Sequence, residues 1–537
     1  MESKTHARVE SDRSSDEKNM GEVANAMPVN LPEDPDAHLS DAQRKEIDRK
    51  LVRKLDLQLI PWLCLLYLLS FLDRTNIGNA KIAGLQKKLG NMSTGKYNAA
   101  LSIFFVSYAV FEPLANILLK RLRPSVFIPI IMYASHLTQL LCLTSNRIIW
   151  GVCMLSMGFV TSWSGLMVCR FFLGLAEAGL FPGVNYFLSS WYKRNEFGVR
   201  AAIFFSAAAL SGSFGGLLAA AILNMHNVGG KPGWAWIFIL EGLATVLCGF
   251  LSFFLVHDFP DTATFLSEQD RARVIRRLKL DQQSSAEHEE FKMSYFWSAV
   301  KDWKMYMGMF IYMGADMPLY AFSLFLPSIV AGMGYKGNQA QLMTVPPYAC
   351  AAVLTVAVGF YADRTRQRGL SNIFVSLIGV VGFAMLIGSH KPHIKYALPQ
   401  SRPSPSTLIH RPRYAGTFLG ALGIYPCIAN TISWVSNNTE GVYKRGIVLG
   451  FVIGWGNLNG VVSSNIFFKG PQYTVGHATI IGYMVGCLVV GSTVMHFLLG
   501  RENAARRAGK RDHWVQGKTE REIEALGDKR PDFLYTT

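Results

Sequence analysis

LIPWLCLLYLLSFLDRTNIGNA, residues 59–80, is an apolar run that ends on an adjacent acid and guanidinium, Asp73 and Arg74. Its apolar part is long enough to cross the hydrocarbon core, which takes roughly 20 helical residues. A charged residue near the centre of such a helix costs about 2.5–3.5 kcal/mol, so chains keep one there chiefly where it faces a partner or a wet cavity. The bland alternative is a pair snorkelling at the membrane boundary. Against it, Thr75, Asn76, Gly78 and Asn79 continue the polar character along one side, as a cavity wall would.

The rest of the chain agrees with a membrane reading. Of 537 residues, half are hydrophobic and only 17% are charged, while the formal net charge is +16; a soluble domain carries more charge. The positive excess sits in short clusters between apolar runs and in the tails, where cytoplasmic loops collect Lys and Arg, so nucleic acid is not an expected partner. No GxxxxGK[ST], HExxH or His/Cys metal spacing occurs, which argues against ATP-driven transport and against a metal site.

Apolar segments of spanning length recur near 57–77, 97–119, 125–143, 148–168, 169–191, 201–223, 234–256, 305–330, 343–361, 371–389, 413–435, 446–467 and 477–499. Thirteen crossings would put the termini on opposite faces. The basic loops KRLRPS (120–125), WYKRNEFGVR (191–200), ADRTRQRG (362–369), VYKRG (442–446) and RENAARRAGKR (501–511) all ask for the cytoplasm, although the loop 78–97 with four Lys does not fit the rule. The conflict disappears if 125–168 crosses once. Removing 135–149 joins IPIIMYA to WGVCMLSMGFV as one helix, and the Pro-rich stretch 395–411 likewise interrupts a pair of segments that need only a short loop. Both stretches read as translated retained introns, with genuine loop insertions as the alternative. Twelve spans then remain: a disordered tail 1–50, a six-helix bundle 51–256, a cytoplasmic linker 257–304, a second bundle 305–500 and a tail 501–537. Ser267, followed by Glu268 and Asp270, marks a helix start within the linker.

GFYADRTRQRG (359–369) resembles the G-x-x-x-D-R-x-x-x-R-G loop of the major facilitator superfamily, and RFFLGLAEAGLFPG (170–183) resembles its fourth-helix motif. The first-half copy of the loop, FEPLANILLKRLRPS (111–125), departs from the pattern at Asn116. SFLDRTNIGNA, with NILLKRLRPS, SSWYKRNE, YAFSLFLPSIV and NNTEGVYKRG, is most similar to the anion:cation symporter family and its fungal allantoate permease-like group. That resemblance implies an all-α membrane protein of twelve helices in two six-helix bundles related by a pseudo-two-fold axis. It also implies a conformational-gating loop at Gly359, Asp363, Arg364, Arg368 and Gly369, coupling protons on Asp73 and Glu177, and a substrate carboxylate met by Arg74.

The residues themselves add the following. Arg170, Gly174 and Glu177 share one helical face, with Gly174 leaving space for a ligand or for a neighbouring helix. In the pairing that the resemblance implies, Arg74 faces Glu177, and protonating Glu177 would release Arg74 to take a substrate carboxylate in bidentate geometry. Asn76 and Arg170 complete the first-half candidates for substrate binding. Tyr320, Trp434, Asn438 and Asn457 are the second-half candidates, with Asp316 as an unusual acid deep in that half. Asn91 in NMS is a sequon in the first outer loop and a candidate for glycosylation. The expected protein is not an enzyme and needs no cofactor beyond the proton gradient. It is a monomeric, multi-pass symporter of a small organic anion, in the plasma membrane or in a vacuolar or other internal membrane. An exporter of an acidic metabolite and a transporter-like nutrient sensor remain as alternatives.

Overall fold

A computed structural model of the protein describes residues 34–121, 149–225, 227–281, 293–335, 337–388, 405–468, 473–519, 522–523 and 526–537. Among them every regular element is a helix: α1 Asp41–Ile82, α2 Thr94–Arg121, α3 Ile149–Met157, α4 Trp163–Ser189, α5 Arg194–Ile222, α6 Gly233–Leu255, α7 Glu268–Leu280, α8 Met293–Val300, α9 Trp303–Ala331, α10 Val345–Thr365, α11 Arg368–Gly388, α12 Pro405–Asn437, α13 Val442–Leu458 and α14 Thr474–Arg507. Ten of the described helices are long and apolar enough to cross a membrane, and α2, at 28 residues, has the length as well. Lipid offers the backbone no hydrogen bonds, so apolar runs of this length satisfy it internally as helix.

The helices α1–α6 and α9–α14 form two bundles. They meet along α2 against α13 and along α5 against α10, the two contacts that a two-fold relation between the halves would exchange. We call cytoplasmic the end that holds the start of α1 and the basic loops at 191–200 and 362–369, following the Lys/Arg bias. The halves touch at both ends. On the outer side Ser213 Oγ donates to the Val345 carbonyl at 3.1 Å; on the cytoplasmic side the Val199 N–H donates to Asp363 Oδ2 at 2.6 Å.

One stretch differs from its sequence expectation. The proposed span 148–168 is broken: α3 ends at Met157, a turn follows in which the Phe159 N–H donates to the Ser156 carbonyl at 2.9 Å, and Ser162 caps α4 through the Gly165 N–H at 3.2 Å. Hydropathy misses this turn because Gly158, Phe159 and Val160 are as apolar as the helices they separate. The described part of α3, Ile149–Met157, is nine residues long. Its end lies on the outer side, where Trp163 Nε1 donates to the Lys96 carbonyl at 2.9 Å, whereas α2 ends on the cytoplasmic side. That parity is the one a single crossing requires. The segment 125–143 lies outside the described residues, as do residues 135–148 of the suspected insertion 135–149, residues 395–404 of the suspected insertion 395–411, and residues 1–33 of the tail; Ile149 belongs to α3 and residues 405–411 to α12.

The cytoplasmic face is tied by ion pairs. Arg200 meets Asp56 at 2.7 Å, Arg277 of α7 meets Glu196 at 2.6 Å, and Lys54 meets Asp270 at 3.0 Å. Ser267 caps α7 through the Asp270 N–H at 3.2 Å. The segment 526–537 folds back beneath the second bundle, where Asp528 pairs with Lys304 and lies 2.6 Å from Lys444. Burial pushes the Asp528 carboxyl up, the two ammonium groups pull it down by more, and it ends below the ordinary carboxylate value. A depressed folded value stabilises above the unfolded one and is lost as the pH falls through the lowered value. Asp528→Asn should therefore lower thermal stability at neutral pH by the equivalent of about 1–3 kcal/mol, since it leaves Lys304 and Lys444 to share the one carboxylate of Asp302, 3.5 and 2.7 Å away. The deficit should shrink on acidification, which melting curves of the purified protein at several pH values will test.

Candidate functional site

The centre of the molecule is a chain of polar groups running through both bundles. Arg74, the first residue past the acid in the opening stretch, donates to Glu177 Oε2 of α4 through Nη2 at 2.9 Å and through Nε at 3.3 Å. Ser70 donates to the same oxygen at 3.1 Å. Arg74 Nη1 donates to the Tyr320 hydroxyl of α9 at 2.5 Å, Tyr320 donates to Asn457 Oδ1 of α13 at 2.6 Å, and Asn457 donates to Glu112 Oε2 of α2 at 3.3 Å. Five helices thus contribute to one hydrogen-bonded line. The Arg74 guanidinium lies among four rings, 4.9 Å from the centroid of Tyr108, 5.1 Å from Phe104, 5.5 Å from Tyr320 and 5.8 Å from Phe71. Asp73 and Arg74 are 0% and 2% exposed, which rules out a snorkelling pair at the boundary.

Arg170 stands behind this line. Its two terminal nitrogens each donate to the Arg74 carbonyl at 3.4 Å, and its Nε has no partner among the described residues. Gly174, one turn on, leaves room for a neighbouring helix and not for a ligand: a Cβ there would meet the Phe104 carbonyl and Ser107 Oγ of α2.

Asp73 points the other way, toward α6, where Thr245 donates to its Oδ2 at 2.8 Å. Asn76 is turned to the same helix and donates to Glu241 Oε2, so the structure places it apart from Arg74. Trp434 and Asn438 are also apart. Both stand at the cytoplasmic end of α12, donating to the Thr536 carbonyl at 2.8 and 2.9 Å. The structure does not bring them to Arg74, and a contact with residues a hundred positions later cannot be read from local sequence.

The gating-loop residues lie at the cytoplasmic contact between the halves. Asp363 pairs with Arg368 while its other oxygen takes the Val199 N–H; Arg368 Nη1 donates to Asn430 at 3.1 Å. Arg364 is exposed. A Cβ on Gly359 would lie 2.5 Å from the Ala202 Cβ of α5, and the Gly369 N–H donates to the Thr537 carbonyl at 2.9 Å. Asn91 is exposed on an outer turn with φ of 50°.

Glu112 and Glu241 were not singled out from sequence. Each is a lone acid in an apolar run, FEPLANILL and FILEGLATV, and the signal that finds them is the rule that an intramembrane acid marks a functional site by default.

A membrane-embedded pair of six-helix bundles with charges buried at their junction defines a transporter. The chain belongs to the Major Facilitator Superfamily, whose description matches residues 63–493. It is 35% identical over 441 residues to the MFS transporter prlL of Fungal sp. (strain NRRL 50135), covering 81% of this chain and 82% of that protein. It is 31% identical to the high-affinity nicotinic acid transporter of Saccharomyces cerevisiae, covering 91% of this chain and 85% of that one. The fold is similar to that of a bacterial homologue of the human lysosomal transporter Spinster in an inward-facing, unoccupied conformation. There the TM-score is 0.54 at 14% identity, covering 82% of this chain and 95% of the other.

Proposed function

We propose that this membrane transporter carries a small organic anion together with a proton, as a monomer, importing a carboxylate or vitamin-like acid of the kind taken by allantoate permease-like proteins across the plasma membrane. The observation that carries the reading is the buried Arg74–Glu177 pair, whose remaining donor reaches Tyr320 in the other half. An Arg is always charged and forks onto carboxylates. When Glu177 accepts a proton, its hold on Arg74 weakens and a substrate carboxylate can take the same two N–H groups. Without the proton the substrate competes with a tethered internal anion. Because Tyr320 belongs to the second bundle, a ligand bound at Arg74 acts on both halves and alternating access follows from their closing around it. The rings about Arg74 favour a flat acid, and the nicotinic acid named for one relative is a planar monocarboxylate of that kind.

The test is uptake by purified protein in liposomes, using labelled nicotinate and a panel of monocarboxylates and ureido acids, with and without an inward proton gradient. Uptake should rise with external acidity for at least one of these acids. Glu177→Gln should lose accumulation against a gradient while retaining part of the exchange. Equal accumulation by parent and variant would remove Glu177 from the mechanism.

A further inference from the structure

The loop 78–97 carries four Lys on the side of the membrane that the Lys/Arg bias leaves poor in them, and the Arg74 line uses none of the four. Lys81 is the one that enters the bundle. It follows Arg74 by seven residues on α1, which puts both on one helical face, about 10 Å apart along the axis. Lys81 is half-buried. Its Nζ lies 4.6 Å from the ring centroid of Tyr97 on α2 and 5.3 Å from that of Phe325 on α9, in the other half. The Tyr97 hydroxyl donates to the Ile77 carbonyl at 3.2 Å, so the ammonium meets ring faces. It has three N–H donors and, among the described residues, neither a carboxylate nor another oxygen to receive them.

The outer side offers no acid to fill that place. None of the outer connections, 83–93, 158–162, 223–232, 332–344, 389–404 and 466–473, contains Asp or Glu. Lys87 and Lys88 are exposed, as is Lys96, whose Nζ lies 5.7 Å from the Trp163 ring centroid. None of these three makes an ion pair among the described residues. On the cytoplasmic side the reverse holds, since Arg200, Arg277 and Lys54 are each met by a carboxylate. A mouth lined by unpaired charge of one sign concentrates solutes of the other.

Resting on the anion-symport reading above, we propose that Lys81 is an outer carboxylate-binding site. Lys87, Lys88 and Lys96 gather anions at the mouth, and the Lys81 ammonium takes the substrate carboxylate before Arg74 does. Gly78 lies between the two cations on the same face, and the Leu324 carbonyl of α9 rests where its side chain would be. When the outer ends of α1 and α9 part, Phe325 leaves Lys81 together with Leu324. The strip from Lys81 over Gly78 to Arg74 then faces the opening with no side chain in the way. On closure the Phe325 ring covers the ammonium again, and the carboxylate has moved inward to Arg74. A ring face holds an ammonium less firmly than a carboxylate does, so an arriving anion displaces it and the closed state still shelters the charge.

Rapid-mixing measurements of nicotinate binding to the purified parent, K81Q, K81R and K87Q/K88Q test the site at several salt concentrations. Association with the parent should slow as salt rises. K81Q should lower the association rate roughly ten- to a hundredfold and flatten that salt dependence, K81R should keep both, and K87Q/K88Q should lose less than K81Q. An unchanged association rate in K81Q, or a weaker affinity at an unchanged rate, would overturn the proposal; so would a loss in K87Q/K88Q as large as that in K81Q, which would move the site to the loop. A second arm needs no substrate. In A83C, an anionic methanethiosulfonate added from outside to protein in phosphatidylcholine liposomes should react faster than a cationic one. K81Q combined with A83C should erase that preference, with the parent as blank for its own cysteines. An unaltered preference would overturn the site. If the parent binds and moves no acid in the panel, the symport reading fails, and the reagent preference at A83C still decides whether Lys81 draws anions.

Discussion

Arg74→Gln should lose affinity for the transported anion by two to three orders of magnitude, while the protein still reaches the membrane. The substitution removes the guanidinium that satisfies Glu177 Oε2 twice and reaches the Tyr320 hydroxyl. Breaking a buried ion pair by removing one partner typically costs about 3–5 kcal/mol, and here the same cation is the candidate partner of the substrate. Arg74→Lys keeps a point charge and loses the planar fork, so weak, low-affinity binding should survive. Isothermal binding measurements on purified protein distinguish the cases. An Arg74→Gln protein that binds within a few-fold of the parent would shift the carboxylate to Arg170, whose Nε is free of partners among the described residues.

What could be read from the chain alone followed the range of the signal. Membrane spans are set by runs of about 20 apolar residues, a local property, and ten such helices stand in the described residues. A turn within apolar sequence is invisible to the same measure, which is why the break after Met157 was missed although Ser162 carries a capping side chain. The helical face shared by Arg170, Gly174 and Glu177 follows from spacing, and so does the proximity of Asp73 and Asn76. Which helix each face meets does not: Gly174 admits α2, Asn76 is taken by Glu241, and Asp73 by Thr245. The second-half candidates divided by depth. Tyr320 and Asn457 come to Arg74, whereas Trp434 and Asn438 were placed by composition without any local mark of how far along α12 the cavity extends.

Two glycines control the two closures, and enlarging them should drive the transporter in opposite directions. A Cβ on Gly78 would lie 2.6 Å from the Leu324 carbonyl, backbone of α9 in the other half and on the outer side. Main chain cannot swing aside as a side-chain tip can, so Gly78→Val should hold the outer ends of α1 and α9 apart. On the cytoplasmic side a Cβ on Gly359 would lie 2.5 Å from the Ala202 Cβ of α5, beside the Val199 to Asp363 bond; Gly359→Val should separate α10 from α5 there. Packed interfaces of this kind are bistable and do not deform continuously, so each variant should populate one open state and lose turnover almost entirely. Labels on cysteines introduced at the two rims should react faster from outside in Gly78→Val and faster from the cytoplasmic side in Gly359→Val. The Gly78 variant should go on binding substrate from outside, because its contact lies beyond Arg74 and leaves the ion pair with Glu177 intact. If both variants label like the parent and transport at its rate, these two contacts do not form during closure, and the barrier to alternating access lies in the Arg74 to Glu112 line.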